Sequence, residues 1–169
     1  MEINLDKNQV QKVLLSIKRS NFRGYDPYDI LNSPFVSNHI SGHKPAIALT
    51  QLNRFSAINF RKLLKIHKGY NSKGMALILH ALLNFDHEKY RDEIEYIRDW
   101  LIRNKSSDYS QYSIGFTFDI ALDHYISKKG DASLVISLFA VYAFIEYFRK
   151  TNDEKILEHV NSFHELIEE

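Results

Sequence analysis

The sequence predicts an all-α fold built from antiparallel helical hairpins, and three observations carry that prediction. Apolar residues recur every three to four positions in stretches separated by Gly, Pro, Asn and Ser. Two consecutive stretches, residues 72–104 and 132–169, each join a largely apolar helix to a two-faced one. The composition, 44% hydrophobic and 25% charged, is that of a chain able to enclose a core.

A length of 169 residues suits one domain spanning residues 1–169. Lys and Arg total 22 against 21 Asp and Glu, a formal charge of +1, so no global field favours nucleic acid or an anionic membrane. Neither is expected as a partner. The cluster Arg61, Lys62, Lys65 and Lys68 reads as the solvated face of a short helix. With no cysteine there is neither a disulfide framework nor a thiolate nucleophile. Residues 1–7 lack the basic start and apolar run of a secretory signal, and a cytoplasmic location is expected. The longest apolar run, residues 133–148, is interrupted by Ser137 and Glu146 and falls short of the ~20 residues of a membrane span.

Along the chain, Asp6 is placed to cap a first helix with Val10, Val13, Leu14 and Ile17 on one face, ending near Asn21. Residues 22–45 hold all three prolines with Gly24 and Gly42, which predicts an ordered loop anchored by Tyr25, Tyr28, Ile30, Leu31 and Phe35. A helix follows from Pro45 through Ala46, Leu49, Leu52 and Phe55, then a short one over Phe60, Leu63, Leu64 and Ile66, stopped by Gly69. Ser72 is the expected cap of a central helix through Met75, Leu79, Leu82 and Leu83. The next, residues 88–104, is amphipathic through Tyr90, Ile94, Ile97 and Leu101. Residues 105–131 break the rhythm. A final hairpin pairs an apolar helix, residues 132–150, with an amphipathic one through Ile156, Val160, Phe163 and Ile167.

The two hairpins align as an internal repeat, with Ile94 over Val160, Ile97 over Phe163 and Leu101 over Ile167. Repeated inner and outer helices imply a layered ring or solenoid, because no single hairpin buries its own apolar face.

Four segments carry a family resemblance: Gly24-Tyr25-Asp26-Pro27-Tyr28-Asp29, Leu31-Asn32-Ser33-Pro34, Lys68-Gly69-Tyr70-Asn71 with Lys73-Gly74, and the aromatic run from Tyr109 to Asp119. Together they resemble an α/α-toroid family associated with bacterial surface-polysaccharide biosynthesis, similar in fold to six-hairpin glycosidases and prenyltransferases. The resemblance implies a partial toroid, corresponding to the front half of typical members. In the most distinctive stretch Tyr109, Ser110, Tyr112, Gly115, Phe118 and Asp119 match. Ile114 stands at a Trp position, Phe116 at a Tyr position, Ile120 and Ala121 at Trp-Gln, and Asp123 where an Arg is expected.

Candidate ligand-binding residues follow. Toroids of this kind surround a cavity with loops where aromatics stack on sugar rings, so the resemblance points to Asp119, Tyr109, Tyr112, Phe116 and Asp26. Against this, Asp26 before Pro27 suits a turn, Asp29 a backbone cap, and Asp119 a loop-organising hydrogen bond. Alternation through Tyr112, Ile114, Phe116 and Phe118 suits an extended segment burying one side. His39 and His43 are separated by Gly42 and no His-Glu-x-x-His occurs, so no metal is expected. His80 reads as a core histidine, and His87, His159 and His164 as surface residues. No nucleophile elbow, phosphate-binding glycine loop or dinucleotide fingerprint is present, so no cofactor is expected.

Two functional readings result. In one, the chain binds a glycan or activated sugar as a half-toroid. In the other it is a non-catalytic interaction module that self-associates or completes its ring with a complementary toroid chain, because an open ring leaves an apolar flank uncovered. Whether the chain is catalytic is left open.

Overall fold

A computed structural model describes residues 7–168 as seven α-helices, a 3-10 turn and one two-stranded hairpin. Helix α1, Lys7–Arg19, packs by a single face: Leu14 is buried, Val10 and Ile17 half-buried, Val13 and Leu15 exposed. The Asp6 cap expected for it lies outside the described residues. The chain leaves α1 through Asn21 and Phe22, both in the left-handed region at φ 49° and 60°. That conformation is costly for a residue with a Cβ, and doubly so in succession.

The segment expected as a loop is more regular than its prolines suggest. A 3-10 turn over Asp29–Asn32 leads into α2, Pro34–His39, and α3 begins at His43 and runs to Phe55. Ser33 caps α2 by accepting from the Val36 N–H at 3.3 Å, and Pro34 fills the first helical position, where a missing N–H costs nothing. The Ser33 hydroxyl also donates to the Leu64 carbonyl at 2.7 Å. Ile30, Val36 and Ile66 form a small core here, flanked by Leu31, Ile40, Leu49 and Leu64.

The short helix expected over residues 60–66 does not form. Successive turns occupy residues 60–65, and Lys65 reverses the chain at φ 54°, with Ile66 N–H donating to the Arg61 carbonyl at 2.9 Å. Nor do its basic residues share one solvated face. Lys62, Lys65 and Lys68 are exposed, but Arg61 turns inward to a buried aspartate.

Helices α4, Ser72–Asp86, and α6, Leu134–Thr151, pack against each other at the centre. The outer helices α5, Arg91–Arg103, and α7, Lys155–Glu168, lie on α4 and α6 respectively. This is the inner and outer pairing that the repeat implied. Asn71, not Ser72, caps α4, its Oδ1 accepting from Gly74 N–H at 2.8 Å. Ser72 is instead the first helical residue, buried, its hydroxyl without a partner among the described residues. At α6, Ser133 is the cap, and Asn152 in the left-handed conformation ends the helix.

Met75, Leu79, Leu83, Ile97, Leu101, Ala140 and Phe144 form the middle of the main core. The repeat holds near the interhelix turns, where Tyr90 and Ile156 are both buried, as are Ile97 and Phe163. It lapses at the far end: Leu101 is fully buried and its counterpart Ile167 is 54% exposed.

The aromatic run is an extended segment threaded through the bundle. Tyr112, Ile114 and Phe118 are buried as the alternation required, yet Ser113 and Gly115 between them are buried too, so both sides are covered rather than one. Helix serines take the place of neighbouring strands. The Ser137 hydroxyl accepts from Ile114 N–H at 2.9 Å and donates to the Ile114 carbonyl at 3.1 Å, while Ser162 accepts from Tyr112 N–H at 3.0 Å. Ser137, an interruption in an apolar run, is thereby accounted for: a buried extended backbone must find its hydrogen bonds somewhere. Beyond it, strands β1, Ile120–Ala121, and β2, Ile126–Ser127, form a small antiparallel hairpin that helical periodicity does not reveal.

Candidate functional site

Two segments far apart in sequence are joined by a single antiparallel bridge. Gly24 and Gly69 exchange both backbone hydrogen bonds at 2.9 Å, which lays the 24–29 turn beside the entrance to α4. Between them, the turn after α1 and Phe118 lies a cleft of about 400 Å³. All four segments that carry the resemblance therefore contribute to one cavity, the second through Asn32 and the fourth through Phe118.

Its polar wall is a hydrogen-bonded frame. Asp26 Oδ1 accepts from Tyr28 N–H at 2.9 Å, and Oδ2 accepts from Asn71 Nδ2 at 2.6 Å. Asp29 Oδ2 accepts from Asp26 N–H at 3.0 Å, and Oδ1 from Asn53 Nδ2 at 3.3 Å and Arg61 Nε at 3.2 Å. Arg61 also donates to the Asp26 carbonyl at 2.9 Å. The turn roles expected of both aspartates are met, and Asp29 gains a buried cation that the sequence did not disclose. Asn71 is shared, since its Oδ1 caps α4 while its Nδ2 holds Asp26.

The aromatic wall is formed by Phe22, Tyr25, Tyr70 and Phe118. Tyr25 is 42% exposed, with the Arg61 guanidinium 5.3 Å and the Lys68 ammonium 5.7 Å from its ring centre. Arg23 lies 5.0 Å from the centre of the Tyr70 ring. The Tyr70 and Tyr96 hydroxyls are 2.9 Å apart. That hydrogen bond and the neighbouring Arg23 hold the Tyr70 phenol below its ordinary value. The same bond, helped by burial, pushes the Tyr96 phenol up. Lys73, on the first turn of α4, sits 4.4 Å from the Phe139 ring centre.

Of the five residues singled out from the sequence, Asp26 lies in this cleft. Asp119 is elsewhere, pairing with the Lys128 ammonium at 2.8 Å and accepting from Lys129 N–H at 2.9 Å, and its charge raises the Lys128 value. It fastens the base of the β1–β2 hairpin. Tyr112 is enclosed beside Phe144 and His159, its hydroxyl donating to the Leu101 carbonyl at 3.3 Å, and burial pushes its phenol far up. No ligand reaches it there. Phe116 is half-buried against Phe118, ring centres 5.9 Å apart. Tyr109 lines a different hollow, with Ser133, Phe163 and Leu166 between the start of α6 and the end of α7. The five do not converge.

Arg23, Asn71 and Lys73 enter the site without having been singled out. Their only sequence signal was membership of, or adjacency to, the two glycine-containing motifs that the Gly24–Gly69 bridge joins. His159, read as a surface residue, is half-buried against Tyr112 and Phe144, and that desolvation lowers its value. His80 is half-buried and stacked on Tyr142 at 4.8 Å. His43 Nε2–H donates to the Leu122 carbonyl at 2.7 Å, so that nitrogen carries a proton. Among the described residues no three His, Asp or Glu side chains group so as to hold a metal ion, and no helix is long and apolar enough to cross a membrane.

Compared with protein-family models, curated proteins and solved structures, the chain has no significant match.

Proposed function

We propose that the cleft between the 24–29 turn and the α4 entrance binds a glycan or activated sugar, and that the hairpins are a segment of an α/α toroid serving surface-polysaccharide metabolism. One observation carries the reading: flat aromatic faces and fixed hydrogen-bonding groups share one open cavity. Sugar rings present apolar C–H faces to aromatics and hydroxyl edges to carboxylates and amides, and Tyr25 and Tyr70 beside Asp26 and Asn71 supply both. The anchors are pre-organised, since Asp26 and Asn71 are already held by their neighbours.

Thermal-shift and calorimetric titration against neutral sugars, uronic acids and nucleotide sugars tests this. At least one class is expected to stabilise the chain. Tyr25→Ala is expected to weaken its binding about tenfold, the worth of one aromatic face, with little change in Tm because the ring is half outside the protein. Absence of stabilisation by every class overturns the reading.

A specific surface favours the second reading, an interaction module. On α6, Leu134, Val135, Leu138 and Tyr142 are each about half exposed and follow one face of the helix. Leu77 of α4 lies alongside, between Lys73, which reaches Phe139, and His80, which stacks on Tyr142. The stripe exposes on the order of 500 Å² of apolar surface, so two copies placed face to face bury about 1,000 Å², the lower end for specific association. A second copy is the occupant we propose, because a self-matching apolar stripe closes by two-fold symmetry. Light scattering is expected to give twice the monomer mass at high concentration, and Leu138→Glu to restore the monomer without loss of Tm. A wild-type monomer at every concentration counts against it.

A further inference from the structure

Next to the cleft is a second hollow lined by Asn21, Phe22, Arg23, Tyr70 and Tyr96, and the two spaces share Phe22, Arg23 and Tyr70. We infer that this hollow is a subsite for an oxyanion, the carboxylate or phosphate of an acidic sugar whose ring lies in the neighbouring cleft. The inference deepens the sugar-binding reading and rests on it.

The donors come first. In the Tyr70–Tyr96 pair, one hydroxyl donates to the other at 2.9 Å, and the accepting phenol keeps its own hydrogen free to point outward. A hydroxyl that accepts one hydrogen bond is a stronger donor for the next. Either hydroxyl can take the donor role, and in both arrangements one phenolic hydrogen of the pair is left for a ligand. Beside the pair stands the Arg23 guanidinium, over the Tyr70 ring at 5.0 Å and in no carboxylate ion pair among the described residues. Arg103, in the last turn of α5, adds a second positive charge within range of Tyr96.

The charges opposing these are accounted for. No carboxylate lines the hollow. In the adjoining cleft Asp29 is paired with Arg61, while Asp26 keeps its charge with one oxygen held by Asn71 and the other by the Tyr28 N–H. Among the described residues Arg23 is thus a cation in no carboxylate ion pair, beside a hydrogen-bonded hydroxyl pair, and a carboxylate or phosphate oxygen matches both.

The backbone is arranged to put Arg23 there. Asn21 and Phe22 both occupy the left-handed region, a conformation that persists only where surrounding contacts enforce it. Phe22 is held by its stack on Tyr96, with ring centres 5.5 Å apart, and by its N–H donating to the Ile17 carbonyl at 3.0 Å. Relaxing either residue would swing Arg23 away from the tyrosine pair.

The test titrates the full chain with glucose, glucuronate, glucose 1-phosphate and inorganic phosphate, by calorimetry at low and raised salt. Glucuronate or glucose 1-phosphate is expected to bind at least tenfold more tightly than glucose, and the advantage to shrink as salt rises. The two acidic sugars distinguish carboxylate from phosphate as the natural group. Arg23→Gln is expected to remove most of that advantage, and Tyr70→Phe to reduce it several-fold. Both variants alter exposed or half-exposed groups, and a wild-type Tm confirms that they fold. Equal affinity for glucose and the acidic sugars, or acidic-sugar affinity untouched by Arg23→Gln, overturns the subsite and leaves the sugar reading standing. Arg23-dependent binding of inorganic phosphate with no response to any sugar supports the subsite and overturns the sugar reading. No binding of any probe overturns both.

Discussion

Gly115→Ala is expected to cost more than about 4 kcal/mol, enough to lower Tm by roughly 10 °C or more or to prevent folding altogether. A Cβ at this position would lie 1.7 Å from the Asp131 carbonyl oxygen and 2.7 Å from its carbonyl carbon. Both are backbone atoms, so no side chain can rotate aside. Gly115 sits in the threaded segment, bridged to Ala132 just before α6, with Ser133 N–H donating to the Ile114 carbonyl at 3.1 Å and Gly130 N–H to the Phe116 carbonyl at 2.8 Å. Relief of the clash would have to separate this segment from the start of α6, breaking those bonds and uncovering Tyr112 and Ile114. Chemical denaturation followed by circular dichroism measures the cost. Gly24→Ala is the control: nothing lies within 4 Å of a Cβ there, and a change below about 1 kcal/mol is expected. Equal stability of the two variants would show that the segment is not fixed between the hairpins as described.

That threaded segment also shows where sequence reasoning succeeds and where it stops. Helix periodicity is local, so the four long helices of the two hairpins were legible, with boundaries displaced by a few residues. The caps were less so. Asn71 and Ser72 are adjacent and both suited to cap a helix, and only the extended backbone at Asn71 decides between them. The alternation from Tyr112 to Phe118 was legible as extended chain, but not that Ser137 and Ser162, 23 or more residues onward, complete its hydrogen bonding and cover both of its sides. Long-range pairing leaves no periodic trace. The cleft depends on such pairings throughout, because Gly24 meets Gly69, Asp26 meets Asn71, and Asp29 meets Arg61 across 32 residues of chain. Arg61 was therefore read with its basic neighbours in sequence instead of its acidic neighbour in space. Asp119 and Asp26, both candidates from the sequence, stand apart for the same reason: Asp119 pairs with Lys128 at the β1–β2 hairpin and Asp26 with Asn71 in the cleft.

Asp29→Ala is the second large effect expected, a loss of about 3–5 kcal/mol. The carboxylate is buried and gathers Asp26 N–H, Asn53 Nδ2 and Arg61 Nε. Its removal leaves a guanidinium with only 16% side-chain exposure and no carboxylate, and strands the Asp26 N–H, while Asn53 Nδ2 keeps its bond to the Pro27 carbonyl at 2.9 Å. Arg61→Leu in the same chain should recover part of the loss, since it removes the uncompensated charge, and the double-mutant cycle across the pair should give a coupling of about 1–3 kcal/mol. Stability of Asp29→Ala within about 1 kcal/mol of wild type would refute the network. The same substitution separates two ways of positioning the cleft. If the aspartate frame sets the 24–29 turn, Asp29→Ala should lose ligand affinity at temperatures where it is still folded, because Tyr25 and Asp26 ride on that turn. If the Gly24–Gly69 bridge sets it instead, affinity should survive the loss of stability. Since Asp29 ties Asp26 of its own turn to the Arg61 side chain 32 residues onward, the frame is the stronger constraint, and loss of affinity together with stability is the expected outcome.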